Sequence, residues 1–252
     1  DESAMRDWPR VRLQVRHLDR FVERHENEWP IARTRWTKLY LDPAARTLRD
    51  EPAAASSVAY DALGDGLTFV GEPLREETEI TGPLAARLFL SSSTTDADVF
   101  AILRAFAPDG TEVVFQGAID PHTPLAQGWL RASHRALDPA LSTEYWPYHT
   151  HAAAEPLTPQ EPVQLDVELW PTSIVLPAGY RLALSIRGND YVYPGGSGGR
   201  LSNFKNEMTG CGPFLHDDAD RAADVFGGTN ALHADDQKQP YVLLPVVPPR
   251  TR

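Results

Sequence analysis

The sequence predicts an all-β protein: a two-sheet jelly-roll sandwich with long loops and few short helices. Three observations predict it. The first is the stretch Val163 to Arg187, which reads VQLDVELWPTSIVLPAGYRLALSIR. In it Val163, Leu165, Val167 and Leu169 alternate with Gln164, Asp166 and Glu168; Tyr180, Leu182, Leu184 and Ile186 then alternate with Arg181, Ala183, Ser185 and Arg187. A period of two buries one face of a strand and wets the other. The second is the spread of 22 prolines through 252 residues, which suits short strands and disfavours long helices. The third is that strand-like segments recur between turn signals at sandwich spacing.

The elements follow in order. Val11, Leu13 and Val15 alternate with Arg10, Arg12, Gln14 and Arg16, and Phe21 to Glu26 returns, so Trp8 to Pro30 reads as a hairpin. Thr37 to Leu41 is a short strand closed by Asp42-Pro43, and Ala44 to Ser57, rich in Ala and Pro without a period, reads as loop. Thr78 to Thr81 and Leu84 to Ser91 are strands separated by Gly82-Pro83. Asp98 to Ala107 is apolar on both sides, Phe100, Ile102 and Phe106 against Val99, Ala101, Leu103 and Ala105, which places it between two covered surfaces. Pro108-Asp109-Gly110 is a hairpin turn, with Thr111 to Ile119 pairing back. Trp129 to His134 is a short strand, and Asp138 to Pro162 a long proline-containing loop of the kind that is functional or ties domains together. The two alternating segments at Val163 to Arg187 flank Leu176-Pro177-Ala178-Gly179 and read as adjacent antiparallel strands. Gly188 to Asp236 is mostly loop, and Tyr241 to Val247 the last strand.

Net charge is 24 − 35 = −11, which argues against nucleic acid as the main partner, since a phosphate-binding surface needs clustered Lys and Arg. No apolar run approaches the roughly 18 residues of a membrane helix, so no membrane partner is expected. The single Cys211 excludes an intrachain disulfide and fits a reducing cytoplasm. The chain begins Asp1-Glu2-Ser3, which is expected of a piece of a longer polypeptide.

The block Leu165 to Asn189 stands in a fixed order with Glu28-Trp29-Pro30, Thr95 to Phe100, Pro108-Asp109-Gly110, Trp129 to Arg135 and Pro240 to Val246. That ordered set resembles the C-terminal domain of the X-Pro dipeptidyl-peptidase and cocaine-esterase family of serine hydrolases. The resemblance implies a galactose-binding-like jelly roll over residues 41–252. It implies that residues 1–40 are the exit segment of an N-terminal α/β-hydrolase domain, which carries the catalytic Ser, Asp and His. On this reading the chain alone is inactive, with no catalytic residues, metal or cofactor of its own. It packs on the catalytic domain, its partner, and helps to wall a cleft in which the parent hydrolyses an acyl ester or X-Pro amide. A homodimer stays open. The run Asp190-Tyr191-Val192-Tyr193-Pro194-Gly195-Gly196 stands where many relatives carry an Arg-x-Asp-Arg-Asn-Pro-Asn-Thr-Gly-like stretch. This departure, with the aromatic loop before it, gives the interface or cleft-lining candidates: Trp146, Tyr148, His149, His151, Asp190, Tyr191 and Tyr193.

Other constellations compete with plainer readings. Gly195-Gly196-Ser197-Gly198-Gly199 matches G-x-S-x-G, and Ser197, Asp224 and His233 follow in hydrolase order, but Tyr193-Pro194 before and Gly198-Gly199-Arg200 after oppose a strand–elbow–helix. The stretch reads as a glycine loop. His149-Thr150-His151 could offer two imidazoles to zinc, yet no Cys or Glu stands at ligand spacing. Asp96, Asp98, Asp217, Asp218 and Asp220 lack the glycine-and-acid pattern of a calcium loop and read as acidic turns. Trp129, Trp146, Tyr145, Tyr191 and Tyr193 could stack sugars, which makes a carbohydrate-binding module the alternative function.

Overall fold

The computed structural model describes residues 8–117, 122–194, 216 and 219–249. Among them lie thirteen strands: β1 (Val11–Arg16), β2 (Phe21–Glu26), β3 (Arg35–Asp42), β4 (Thr47–Arg49), β5 (Ser56–Asp61), β6 (Leu67–Pro73), β7 (Thr78–Ser92), β8 (Asp98–Phe106), β9 (Ala126–Arg131), β10 (Val163–Leu176), β11 (Arg181–Arg187), β12 (Thr229–Ala234) and β13 (Tyr241–Val246). Helix is confined to a 3-10 turn at Ala132–His134 and one short α-helix, Ala223–Phe226.

Hydrogen bonding runs in the order β2-β1-β10-β7-β13-β3-β4-β6-β11-β8-β9, with β12 and β5 branching from β7. The two layers of the sandwich are therefore halves of one curled sheet. Its main core holds Leu41, Leu88, Leu169 and Val242 from one half, and Leu48, Phe69, Leu103 and Leu184 from the other. The long strand β7 organises it. Along one edge it takes the whole of β10, pairing Leu165 with Leu88, Val167 with Ala86, and Leu169 with Leu84, so the inward faces coincide. Its other edge takes β13 and then β12.

β10 bulges where it places Trp170-Pro171 between the Leu169–Leu84 and Thr172–Gly82 pairs. Two residues oppose one there, and the local kink leaves Trp170 half exposed. Gly82 is required at this kink. Its φ is 149°, and a Cβ would meet the Cβ of Pro245 at 2.8 Å. At the far end of the order the sheet closes on itself: Thr172 Oγ1 donates to the Leu125 carbonyl at 2.9 Å, and β9 lies against β10.

The predicted hairpin is β1–β2, in register from Val11–Glu26 to Arg16–Phe21. The doubly apolar strand is β8: Val99, Ala101, Leu103 and Ala105 enter the main core, while Phe100 and Ile102 form a second cluster with Tyr191. Several expectations are corrected. The alternating segments at residues 163–187 are strands, but β10 pairs with β1 and β7, and β11 with β6 and β8. The turn between them is real. However, its Gly179 N–H donates to the Leu74 carbonyl and Tyr180 accepts from Leu74, so it carries the chain between layers instead of closing a hairpin. The predicted loop at residues 44–57 contains β4 and the start of β5, the mostly-loop stretch 188–236 contains the short helix and β12, and β7 runs unbroken through Gly82-Pro83. Described residues of the returning segment Thr111–Ile119 make only the isolated bridges Phe106–Glu112 and Phe115–Thr123.

Candidate functional site

A network of paired polar groups surrounds a cavity of about 470 Å³ at the mouth of β8 and β9. Register places it: Asp98, first in β8, faces Arg131, last in β9. The Asp98 carboxylate accepts from Arg131 Nε at 2.9 Å and Nη2 at 3.1 Å, and from Arg221 Nε at 2.9 Å. Arg131 Nη1 also reaches Asp220 at 2.9 Å, and Arg221 Nη2 donates to the Gly188 carbonyl at 2.6 Å. Hydrogen bonding to Asp98 raises the Arg131 pKa above its ordinary value, against the opposing effect of burial. Each guanidinium also covers a ring: Arg131 lies over Phe226 at 4.4 Å, and Arg221 over Phe100 at 5.3 Å.

His216 forms a second wall. Asp190 holds it twice, Oδ1 on the ring Nδ1 at 2.9 Å and Oδ2 on the backbone N–H at 2.6 Å. A carboxylate on Nδ1 fixes imidazole orientation and tautomer. The ring packs edge-on against Phe100 and Trp129, and Trp129 tilts against Trp170 at 5.4 Å. Beyond Trp170 lies a second groove of about 430 Å³ between the β1–β2 hairpin and the β9–β10 seam, lined by Phe21, Trp29, Pro124 and Pro171 among others.

The structure separates the sequence candidates. His151 lines the first cavity beside His134, and Asp190 stands behind His216. His149 is not in that lining; its ring lies 5.8 Å from that of His151 and its buried Nε2 is unpartnered. Burial first, and the neighbouring His151 second, lower its pKa below the usual imidazole value. Tyr191 is a packing residue: it is buried, its hydroxyl donates to Glu112 at 2.8 Å, and burial raises its pKa. Tyr193 stacks on His122 at 4.3 Å and lines a separate pocket with Arg104 and Arg187. Trp146 and Tyr148 are exposed on a loop whose Tyr145 stacks on Trp36 at 4.4 Å. Of the five aromatics that could have made one sugar platform, Trp129, Tyr191 and Tyr193 pack on the cluster around Phe100 and Ile102, while Tyr145 and Trp146 stand apart on the long loop. His134, His216, Arg131 and Arg221 are the cavity residues that sequence reasoning missed. The cross-strand pair Asp98–Arg131 carried a weak signal, opposite charges on two predicted strands, whereas His216 and Arg221 meet the site from a segment without periodicity.

No Ser–His–acid chain forms among the described residues. Ser197 and the G-x-S-x-G stretch lie outside them, as do Asp217 and Asp218. His233 Nε2 does meet Ser91 Oγ at 2.8 Å, but Ser91 is buried in β7, and Asp235 instead caps Gln237 and Lys238 and pairs with the Lys238 ammonium. Without access or an acid on the ring, this pair stitches β12 to β7. Asp96 accepts the N–H groups of Ala97 and Ser133. Among the described residues no group of three metal-capable side chains forms, and no helix is long and apolar enough to cross a membrane.

Fold and site together define an all-β sandwich domain with exposed aromatic grooves and no assembled nucleophilic triad among its described residues. Comparison places it within a family: residues 3–242 match the model of the X-Pro dipeptidyl-peptidase C-terminal non-catalytic domain, and the chain belongs to that family. It is 29% identical over 152 residues to a cocaine esterase of a Rhodococcus strain, covering 45% of this chain and 26% of that protein. It is 33% identical over 128 residues to a putative serine esterase of Mycobacterium bovis, covering 49% of this chain and 19% of that protein. The chain thus spans about a fifth to a quarter of these relatives. A CocE/NonD family hydrolase of Staphylococcus aureus superposes with a TM-score of 0.81 at 24% identity, covering 96% of this chain and 42% of that one, a likeness of fold.

Proposed function

We propose that this chain is the accessory C-terminal domain of a serine hydrolase that cleaves acyl esters or X-Pro amides. It packs on an N-terminal α/β-hydrolase domain of the same polypeptide and helps to wall the active-site cleft. Residues 1–40 are then the exit segment from that domain, with the β1–β2 hairpin laid on the edge of β10. The observation that carries this reading is the second groove: Phe21, Trp29 and Trp170 around it are 66%, 42% and 46% exposed. Large aromatics gathered about one groove mark a contact surface.

The test has two arms. The 252-residue chain alone is expected to hydrolyse no p-nitrophenyl acyl ester above background. In the full-length enzyme, each of Phe21→Asp and Trp170→Asp removes about 2 kcal/mol of apolar burial, roughly thirtyfold in the docking equilibrium. Limited proteolysis should then release the domain faster, and KM for the ester should rise. Turnover by the isolated chain, or full-length variants with wild-type proteolysis and kinetics, overturns the reading.

A further inference from the structure

The cavity beside β9 holds a pair of imidazoles that neither the ion-pair network nor the proposed docking role uses. His134 ends the 3-10 turn after β9; His151 returns from the long loop. Their Nδ1 atoms face each other at 3.3 Å, with ring centroids 5.4 Å apart and planes inclined by 38°. His151 reaches this position only through a left-handed backbone, φ 48°. That conformation is uncommon for residues with a Cβ, though histidine adopts it more readily than most.

A single shared proton is one way to occupy a 3.3 Å gap between two ring nitrogens. A bound cation is another, and the dimension fits it. Zinc binds imidazole nitrogen at about 2.0–2.1 Å with tetrahedral angles, which sets two donor nitrogens about 3.3–3.4 Å apart. We propose that His134 and His151 form a two-imidazole site for a divalent transition-metal ion such as zinc. The pair differs from the His149-Thr150-His151 spacing that the sequence offers. His149 touches the His151 ring but does not line the cavity, and the second ligand comes from 17 residues upstream. It also departs from the expectation that the chain holds no metal.

Among the described residues no third ligand joins the pair. Asp98 and Asp220 line the same cavity, but both are engaged by guanidinium groups. The remaining coordination positions therefore open into the cavity and fall to water or to a small anionic ligand near Arg131 and Arg221. Zinc that takes exogenous molecules ordinarily keeps three protein ligands and one open position, so a two-imidazole site is a more open and weaker one.

The test is calorimetric titration of the 252-residue chain with zinc chloride, with cobalt(II) as a spectroscopic probe whose visible bands report tetrahedral geometry. Wild type should bind one ion saturably. Outer partners of metal ligands are worth tenfold to a hundredfold in affinity, so loss of a ligand itself should cost at least tenfold. His134→Gln and His151→Asn should each show that loss and lose the cobalt bands. Asn accepts the left-handed backbone, so the loop is kept. His149→Gln should bind within about twofold of wild type, a much smaller change than loss of a ligand, and thermal melts confirm that every variant is folded. The proposal is overturned if wild type shows no saturable site, if neither ligand variant weakens binding, or if His149→Gln weakens it as much as they do. None of these outcomes depends on docking to a catalytic domain.

Discussion

Gly128→Ala should destabilise the protein by about 3 kcal/mol or more, the upper end of what over-packing costs. Gly128 sits in β9 where the curled sheet meets its own beginning. A Cβ there would lie 1.8 Å from the Glu168 carbonyl oxygen and 2.8 Å from its carbon, both backbone atoms of β10. No rotamer change relieves such a contact, because neither partner is a side chain. Either β9 moves away from β10 or the seam opens. Movement of β9 would also shift Trp129 and Arg131, and with them the cavity and the Asp98 pair. Gly110 gives the comparison. It has φ 88° in the β8 turn, with nothing within 4 Å of a Cβ, so Gly110→Asn should cost under about 1 kcal/mol. Urea denaturation of the two variants measures the difference. Equal midpoints would show that the sheet is not closed at this seam.

The closure could not have been read from the chain, while most of the strands could. Alternation at Val11–Val15 and Val163–Leu169 places apolar residues on one face whatever the partner, so strand existence was legible. Partner choice was not. The Pro177–Gly179 turn has the composition of a hairpin loop, but the Gly179 N–H and the Tyr180 carbonyl go to Leu74, beyond the end of β6. Turn chemistry fixes local backbone angles and leaves open which sheet the next strand joins. β4, only three residues long, and β5 and β12, which mix small and polar residues, carry too little period to stand out. β4 and β12 exist because β3 and β7 offer edges for them, and β5 because β12 in turn offers it one.

The site was legible in fragments for the same reason. Asp190, His151 and the loop around Trp146 stood out as polar or aromatic residues in proline- and glycine-punctuated stretches. Nothing in them announced that Asp190 would hold His216 across 26 residues, or that His151 would bring its Nδ1 to that of His134. Tyr191 misled because an aromatic in a loop sequence reads as exposed. Its ring instead completes the second cluster under Phe100 and Ile102, with Glu112 accepting from its hydroxyl.

Asp98→Ala should cost about 3 kcal/mol, the lower end of the range for breaking a buried ion pair. Asp98 is 11% exposed and serves two guanidinium groups, of which Arg221 is 12% and Arg131 29% exposed. Removing the carboxylate leaves Arg221 with backbone carbonyls alone, at His216 and Gly188, and leaves Arg131 with Asp220. The penalty comes from the stranded charge more than from lost attraction, because the folded pair had already given up hydration of both ions. That origin is testable by a cycle. Arg221→Met alone leaves Asp98 paired with Arg131, while Asp98→Val with Arg221→Met removes the charges together and keeps apolar volume over Phe100. The double variant should therefore be more stable than Asp98→Val alone, with a coupling of 1–3 kcal/mol, about what contacting residues show. The His216 imidazole resonances, which lie beside this pair and are held by Asp190, should shift in Asp98→Ala and return toward wild type in the double variant. Strict additivity of the two substitutions in chemical denaturation would mean that Asp98 and Arg221 do not act as a pair, and the cavity wall would then owe its shape to Phe100 and Trp129 packing alone.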